Sequence, residues 1–267
     1  MHPMERLRSV ARTDGAGPGL LAQEAAMALA GLGPDAAGLV TACRRLVERQ
    51  PAAGPVWWVA ARVLCSPDPV AEAWTSADLL DADPTPAVLA GALPEGAAVV
   101  VVGWPELAAV GLRRRGDAAV LVVSSDGESV GFARWLRAAG VDAEDVPDAG
   151  LGAAVAGADL VVLEAAAVGP RAFVAAPGSR AAAAVARSAG VPVWLVAGVG
   201  RRLPGRLWSA LEARLGATAV PPWERAEEIV PLDLCDSIVG PEGLCETFAD
   251  DQGPDCPAAP ELFKGSA

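Results

Sequence analysis

Between residues 20 and 74 the apolar positions recur every three or four residues. Leu20, Leu21, Ala25, Ala28, Leu29 and Leu32 form one series, and Leu39, Val40, Cys43, Leu46 and Val47 the next. That spacing lays the apolar side chains along one face of an α-helix. Breaks at Gly31-Leu32-Gly33-Pro34, at Pro51 and at Pro67-Asp68-Pro69 divide the segment into three or four helices, enough for a small bundle. The proline-rich stretch 81–94 reads as a boundary, with a turn at Asp83-Pro84-Thr85-Pro86 and a short helix over 87–92.

After Gly96 the pattern changes to short, continuous, valine-rich runs at 97–102, 118–123, 160–163 and 191–197, with a weaker, acidic one at 141–146. Runs apolar on both faces belong to buried parallel strands. Here they alternate with helical segments near 105–115, 128–139, 180–189 and 204–215, a repeated βαβ pattern. The predicted fold class is therefore α/β: an N-terminal helical bundle followed by a Rossmann-like open parallel sheet with helices on both faces. The expected domains are a helical one at 1–80, a linker at 81–96, the Rossmann-like domain at 97–220 and a C-terminal extension at 221–267. That extension, rich in proline and acid, is expected to run partly extended over the domain or a partner.

Composition narrows the function. Of 267 residues, 33 are acidic and 21 basic, a net charge of −12, and no arginine run exceeds three residues. A protein that neutralises phosphates needs a basic face, so direct nucleic-acid binding is not expected. No membrane span is expected either, since the longest uncharged stretch, from Ser188 to Gly200, has 13 residues. Charges at Glu5, Arg6, Arg8 and Arg12 with no apolar run behind them argue against export, which points to the cytoplasm. The five cysteines contain no CxxC pair and read as reduced, structural thiols; no metal site is expected.

An open parallel sheet binds its ligand at the carboxyl ends of the strands, which selects four loops. The first, Gly103-Trp104-Pro105-Glu106, allows close backbone approach and leaves helix amides at Pro105 facing the crevice, or is an ordinary strand-to-helix turn. The second, Ser124-Ser125-Asp126-Gly127-Glu128, offers Ser124, Ser125 and Asp126 to a sugar hydroxyl, or is a capping box from Ser125 to Glu128. In the third, Glu164 ends an apolar strand and becomes a general base if burial raises its pKa, with Arg171 downstream for an anion. The fourth joins Gly198 and Gly200 to Arg201 and Arg202 ahead of a helix begun by Pro204, the strongest anion site of the set. It is not a dinucleotide fingerprint, because Leu203 replaces the third glycine and the strand is the last of the series. The only histidine is His2 and the only lysine Lys264, so histidine-based triads, histidine-ligated metals and lysine Schiff bases are excluded. No cofactor is implied.

The layout resembles the translation initiation factor 2B alpha/beta/delta family, which includes methylthioribose-1-phosphate and ribose-1,5-bisphosphate isomerases. The resemblance is carried by Gly157-Ala158-Asp159 before a strand, Gly190-Val191-Pro192-Val193-Trp194, Ala138-Ala139-Gly140-Val141, Asp148 and Ile238-Val239-Gly240-Pro241-Glu242-Gly243. It implies the same fold and a homodimer. The departures fall on the chemistry: Gly103-Trp104-Pro105 stands where the isomerases carry a catalytic cysteine, and Glu164-Ala165-Ala166 where they carry an aspartate. Their Asn-Lys pair and Gly-Thr are replaced by Ala176-Pro177 and Ser179-Arg180, and their phosphate-binding arginine loop by Ser124-Ser125-Asp126-Gly127. The expectation is a catalytically silent or strongly diverged protein acting as a binding or regulatory subunit. The alternative is an isomerase-like enzyme on a phosphorylated sugar, with Glu164 or Asp126 as acid/base and Arg201 and Arg202 on phosphate. A role in translation would have to run through protein contacts.

Overall fold

The computed structural model describes residues 17–125, 127–246 and 255–263. Four helices open the described residues: α1 (Pro18–Ala30), α2 (Ala36–Arg49), α3 (Gly54–Cys65) and α4 (Pro69–Asp81). Proline in the first turn of α1, α3 and α4 costs no hydrogen bond, because those amides have no intrahelical acceptor. Helix α3 is buried nearly all round, with Trp57 and Trp58 at its centre, and α1 packs on it through alanines that let the backbones approach closely.

The proline-rich boundary carries the short helix expected within it. This is α5 (Thr85–Ala92), whose Leu89 is fully buried against the sheet half. There follow β1 (Ala98–Val102), α6 (Glu106–Arg115), β2 (Ala119–Val123), α7 (Ser129–Ala138), β3 (Asp142–Val146), α8 (Leu151–Ala156) and β4 (Leu160–Glu164). After β5 (Ala167–Val168) and β6 (Ala172–Ala175) come α9 (Ser179–Ala189), β7 (Val193–Val196) and α10 (Gly205–Gly216). The series closes with β8 (Glu228–Pro231), β9 (Ser237–Gly240) and β10 (Gly243–Glu246).

The main sheet has the order β10-β9-β7-β4-β1-β2-β3, parallel except for β10 at one edge. Alternation along each strand feeds two cores. Val99 and Val101 of β1 face α5, α6 and α7, while Val100 and Val102 face α8 and α9. The chain runs from β1 outward through β2 and β3, then returns to β4 on the other side, which places the switch point between β1 and β4.

Two features depart from the sequence expectation. The strand at 193–196 is not the last, because β9 adds a parallel neighbour drawn from the presumed tail, and Val196 pairs with Val239. A second, antiparallel sheet, β5-β6-β8, joins the halves: Val174 faces the helical core, whereas Phe173 and Val230 face the sheet-side core. The described C-terminal segment 255–263 lies against the helical half. Cys256, Ala259 and Leu262 are buried in its core, and the Arg44 and Arg214 guanidiniums donate to the Glu261 and Leu262 carbonyls.

Candidate functional site

A cleft of about 450 Å³ crosses the switch point. Its floor is the carboxyl ends of β1, β2 and β4, with Gly103, Ser125 and Glu164; Gly17, Pro18, Gln50 and Ala53 of the helical half form the facing wall. Ala176, Pro177 and Ser179, leading into α9, and Glu227, ahead of β8, complete it. Gly103 is needed where it stands: its φ is +64°, and a Cβ would sit 3.2 Å from the Ser125 Cβ.

The chemistry of the cleft is governed by three charged side chains. Glu164 ends β4 pointing at the start of α6, where its Oε1 accepts from the Glu106 amide at 3.0 Å and its Oε2 from the Leu107 and Ala108 amides at 2.8 Å each. The helix end that Pro105 leaves open is thus filled by a carboxylate of the chain itself. Arg201, 1% exposed, lies beside it: one guanidinium nitrogen is 3.0 Å from Glu164 Oε1 and also donates to the Ala165 carbonyl, and the other is 2.9 Å from Glu106 Oε2. Glu106 in turn accepts from the Gly19 and Leu20 amides at 3.0 and 3.1 Å, capping α1. The carboxylate reaches that helix start because Gly17 has no side chain; a Cβ there would meet it at 2.5 Å. Burial pushes the Glu164 carboxyl above the usual range, while Arg201 and the α6 amides pull against it.

The glycine loop before α10 is filled in the same manner. Asp83 accepts from the Val199 amide at 2.9 Å, and Asp255 lies against the Gly200 and Arg202 backbone, its own amide donating to the Arg202 carbonyl at 3.4 Å. The Trp58 indole N–H donates to the Asp255 carbonyl at 3.0 Å. Burial raises Asp255 to about 6, against the pull of Arg202 and with the help of Glu242. The folded protein therefore holds the Asp255 proton more tightly than the unfolded chain, where aspartate titrates near 3.9. The group adds stability as pH falls through 6, adds no more below about 4, and loses that contribution as pH rises again. The urea midpoint of the wild type should gain on that of Asp255→Asn between pH 7 and pH 5; a constant offset across that range would contradict this.

Of the residues singled out in the sequence, Gly103, Ser125, Glu164 and Arg201 meet in the cleft. Ser124 lies beside it, its amide donating to the Val146 carbonyl. Arg171 is exposed on the turn between β5 and β6, away from the cleft lining. Gly198, Gly200 and Arg202 belong to the loop behind Arg201, and a Cβ on Gly198 would strike Asp83 at 2.2 Å. Asp126 lies outside the described residues. The capping box is not formed: α7 starts at Ser129, and the Ser125 carbonyl, not its hydroxyl, accepts from the Glu128 amide at 3.2 Å. Sequence reasoning missed the structural parts of Glu106, Asp83 and Asp255. For Glu106 a signal existed, an acid directly after a proline at a helix start. For Asp255 none did, since its partners lie more than 50 residues away.

No protein-family model and no curated protein matches the sequence. Solved structures do match. The translation initiation factor eIF-2B of Pyrococcus horikoshii OT3 is 15% identical, with 91% of this chain and 96% of that one covered at a TM-score of 0.77. The tetrameric eIF2B-beta2-delta2 complex of C. thermophilum gives 17%, 91%, 90% and 0.69. The 5-methylthioribose 1-phosphate isomerase of Pyrococcus horikoshii OT3 gives 17%, 91%, 84% and 0.64. The fold is thus that of the eIF2B subunits and their isomerase relatives, as the sequence motifs implied.

Proposed function

Starting from that shared fold, we propose that this chain is a catalytically silent relative of the sugar-phosphate isomerases that works as a binding or regulatory subunit, as a homodimer formed through its sheet half. One observation carries the reading. Glu164, the carboxylate best placed for acid–base work, is committed to three α6 amides and to Arg201, and Arg201 is committed to two carboxylates and a carbonyl. A general base must reach the proton it takes, and a phosphate-binding arginine must have donors to give. The four lone-pair positions of the Glu164 carboxylate are all taken, and the Arg201 charge already faces two carboxylates of the chain itself. The assembly of similar chains in the tetrameric eIF2B-beta2-delta2 structure supports a multimer, and Val130, 56% exposed on the sheet half, offers apolar surface for it.

The test is direct. Incubated with 5-methylthioribose 1-phosphate or ribose 1,5-bisphosphate and followed by phosphorus NMR, the purified protein should return both compounds unchanged. Conversion that disappears in Glu164→Gln would establish the isomerase-like alternative. Light scattering at micromolar concentration should give the mass of two chains, and a monomer would remove the homodimer.

A further inference from the structure

The charge of the cleft identifies the kind of ligand it can accept. Four carboxylates line it, those of Glu106, Glu128, Glu164 and Glu227, against the single guanidinium of Arg201. Helix N-termini soften this balance. Those of α1, α6, α7 and α9 all open at the cleft, and each contributes roughly half a positive charge. Even so, four half-charges and one guanidinium amount to about three positive charges against four negative ones. A sugar phosphate, with close to two negative charges of its own, would be repelled from such a site in the absence of a free arginine or lysine.

Two groups at the mouth are not used by the fold. Ser125, 8% exposed as a residue, lines the cleft against Gly103, and its hydroxyl makes no hydrogen bond among the described residues. The hydroxyl is open to the cleft, so it can bond a ligand without giving up any contact of the fold. The Glu128 carboxylate, at the exposed start of α7, has no ion pair among the described residues. The Trp104 ring also lines the cleft, 43% exposed and held against α7 by stacking on Phe132 at 5.4 Å between centroids. A carboxylate, a hydroxyl acceptor and an indole face around an apolar hollow are the means by which proteins hold ammonium and guanidinium groups.

Resting on the reading of the cleft as a binding site, we infer that its ligand is an organic cation, an amine or guanidine on a short carbon chain, with the charge between Glu128 and Trp104 and the hydroxyl of Ser125 accepting from it. Agmatine, which carries both groups, is the probe. Calorimetric titration of the full chain at low salt should give saturable one-to-one binding. Glu128→Gln should weaken it at least tenfold and Ser125→Ala measurably, while Glu144→Gln, on the exposed edge strand β3, leaves it unchanged. Ribose 5-phosphate should give no binding. The inference is overturned if agmatine does not bind, if Glu128→Gln binds it as tightly as wild type, if both glutamate variants weaken it equally, as diffuse attraction to an acidic protein would require, or if ribose 5-phosphate binds. Turnover of a sugar phosphate is a separate outcome: it defeats the silent reading, whereas failure of agmatine without turnover defeats only the assignment of a cation.

Discussion

Replacing Arg201 with methionine should destabilise the protein by about 3–5 kcal/mol, the usual cost of removing one partner from a buried ion pair. For a chain of this size that lowers the melting temperature by on the order of 10 °C. The reason is the number of groups left behind: two carboxylates, Glu164 at 3.0 Å and Glu106 at 2.9 Å, and the Ala165 carbonyl all lose the guanidinium at once. Arg201→Lys should recover only part of the loss, because a single ammonium cannot reach three acceptors that a planar fork spans. Arg171→Met, on the exposed turn, should shift stability by less than about 0.5 kcal/mol. An arginine kept for an anionic ligand behaves in the opposite way: its removal leaves the ligand-free melting temperature unchanged or raises it. A melting temperature for Arg201→Met within a degree of wild type would therefore count against the network described here and restore Arg201 as a candidate ligand.

The second large effect concerns the C-terminal segment. Leu262 is fully buried among the N-terminal helices, and Leu262→Ala should cost about 2–5 kcal/mol, the span measured when a leucine is cut back inside a packed core. The change should also raise amide exchange in α2 and α3, whose Arg44 and Trp58 donate to the same segment. Urea denaturation gives the energy and exchange mass spectrometry the location. A loss below about 1 kcal/mol would mean that residues 255–263 do not dock on the helical half in solution.

The parallel sheet was legible because its strands are buried on both faces: valine runs bounded by glycine and proline leave little else to form, and β1, β2 and β4 fall within a residue or so of their expected limits. The small sheet was not, since β5 has two residues and β6 four, too short for any period to register. Likewise β9, Ser237–Gly240, reads as a fragment of tail until the edge of β7 gives it a partner. At the site, the two places suited to an anion, the amides after Pro105 and the Gly198–Arg202 loop, were visible as helix starts and glycines. What filled them was not visible, because Glu164 and Asp255 arrive from distant parts of the chain and only the fold brings them there.

The burial of residues 256, 259 and 262 beside α1–α4 also sets an order of assembly. On the ribosome the four helices emerge before the sheet half, as a unit that has the look of an independent domain. Its apolar interior, however, is closed by Leu207, Trp208 and Leu211 of α10 and then by the final segment. Contacts of long sequence separation, such as that between Trp58 and Asp255, cannot form before residue 255 has left the ribosome. The helical half is made before the sheet half but completed after it, and until then the apolar side chains that meet α10 and residues 256–262 have nothing to pack against.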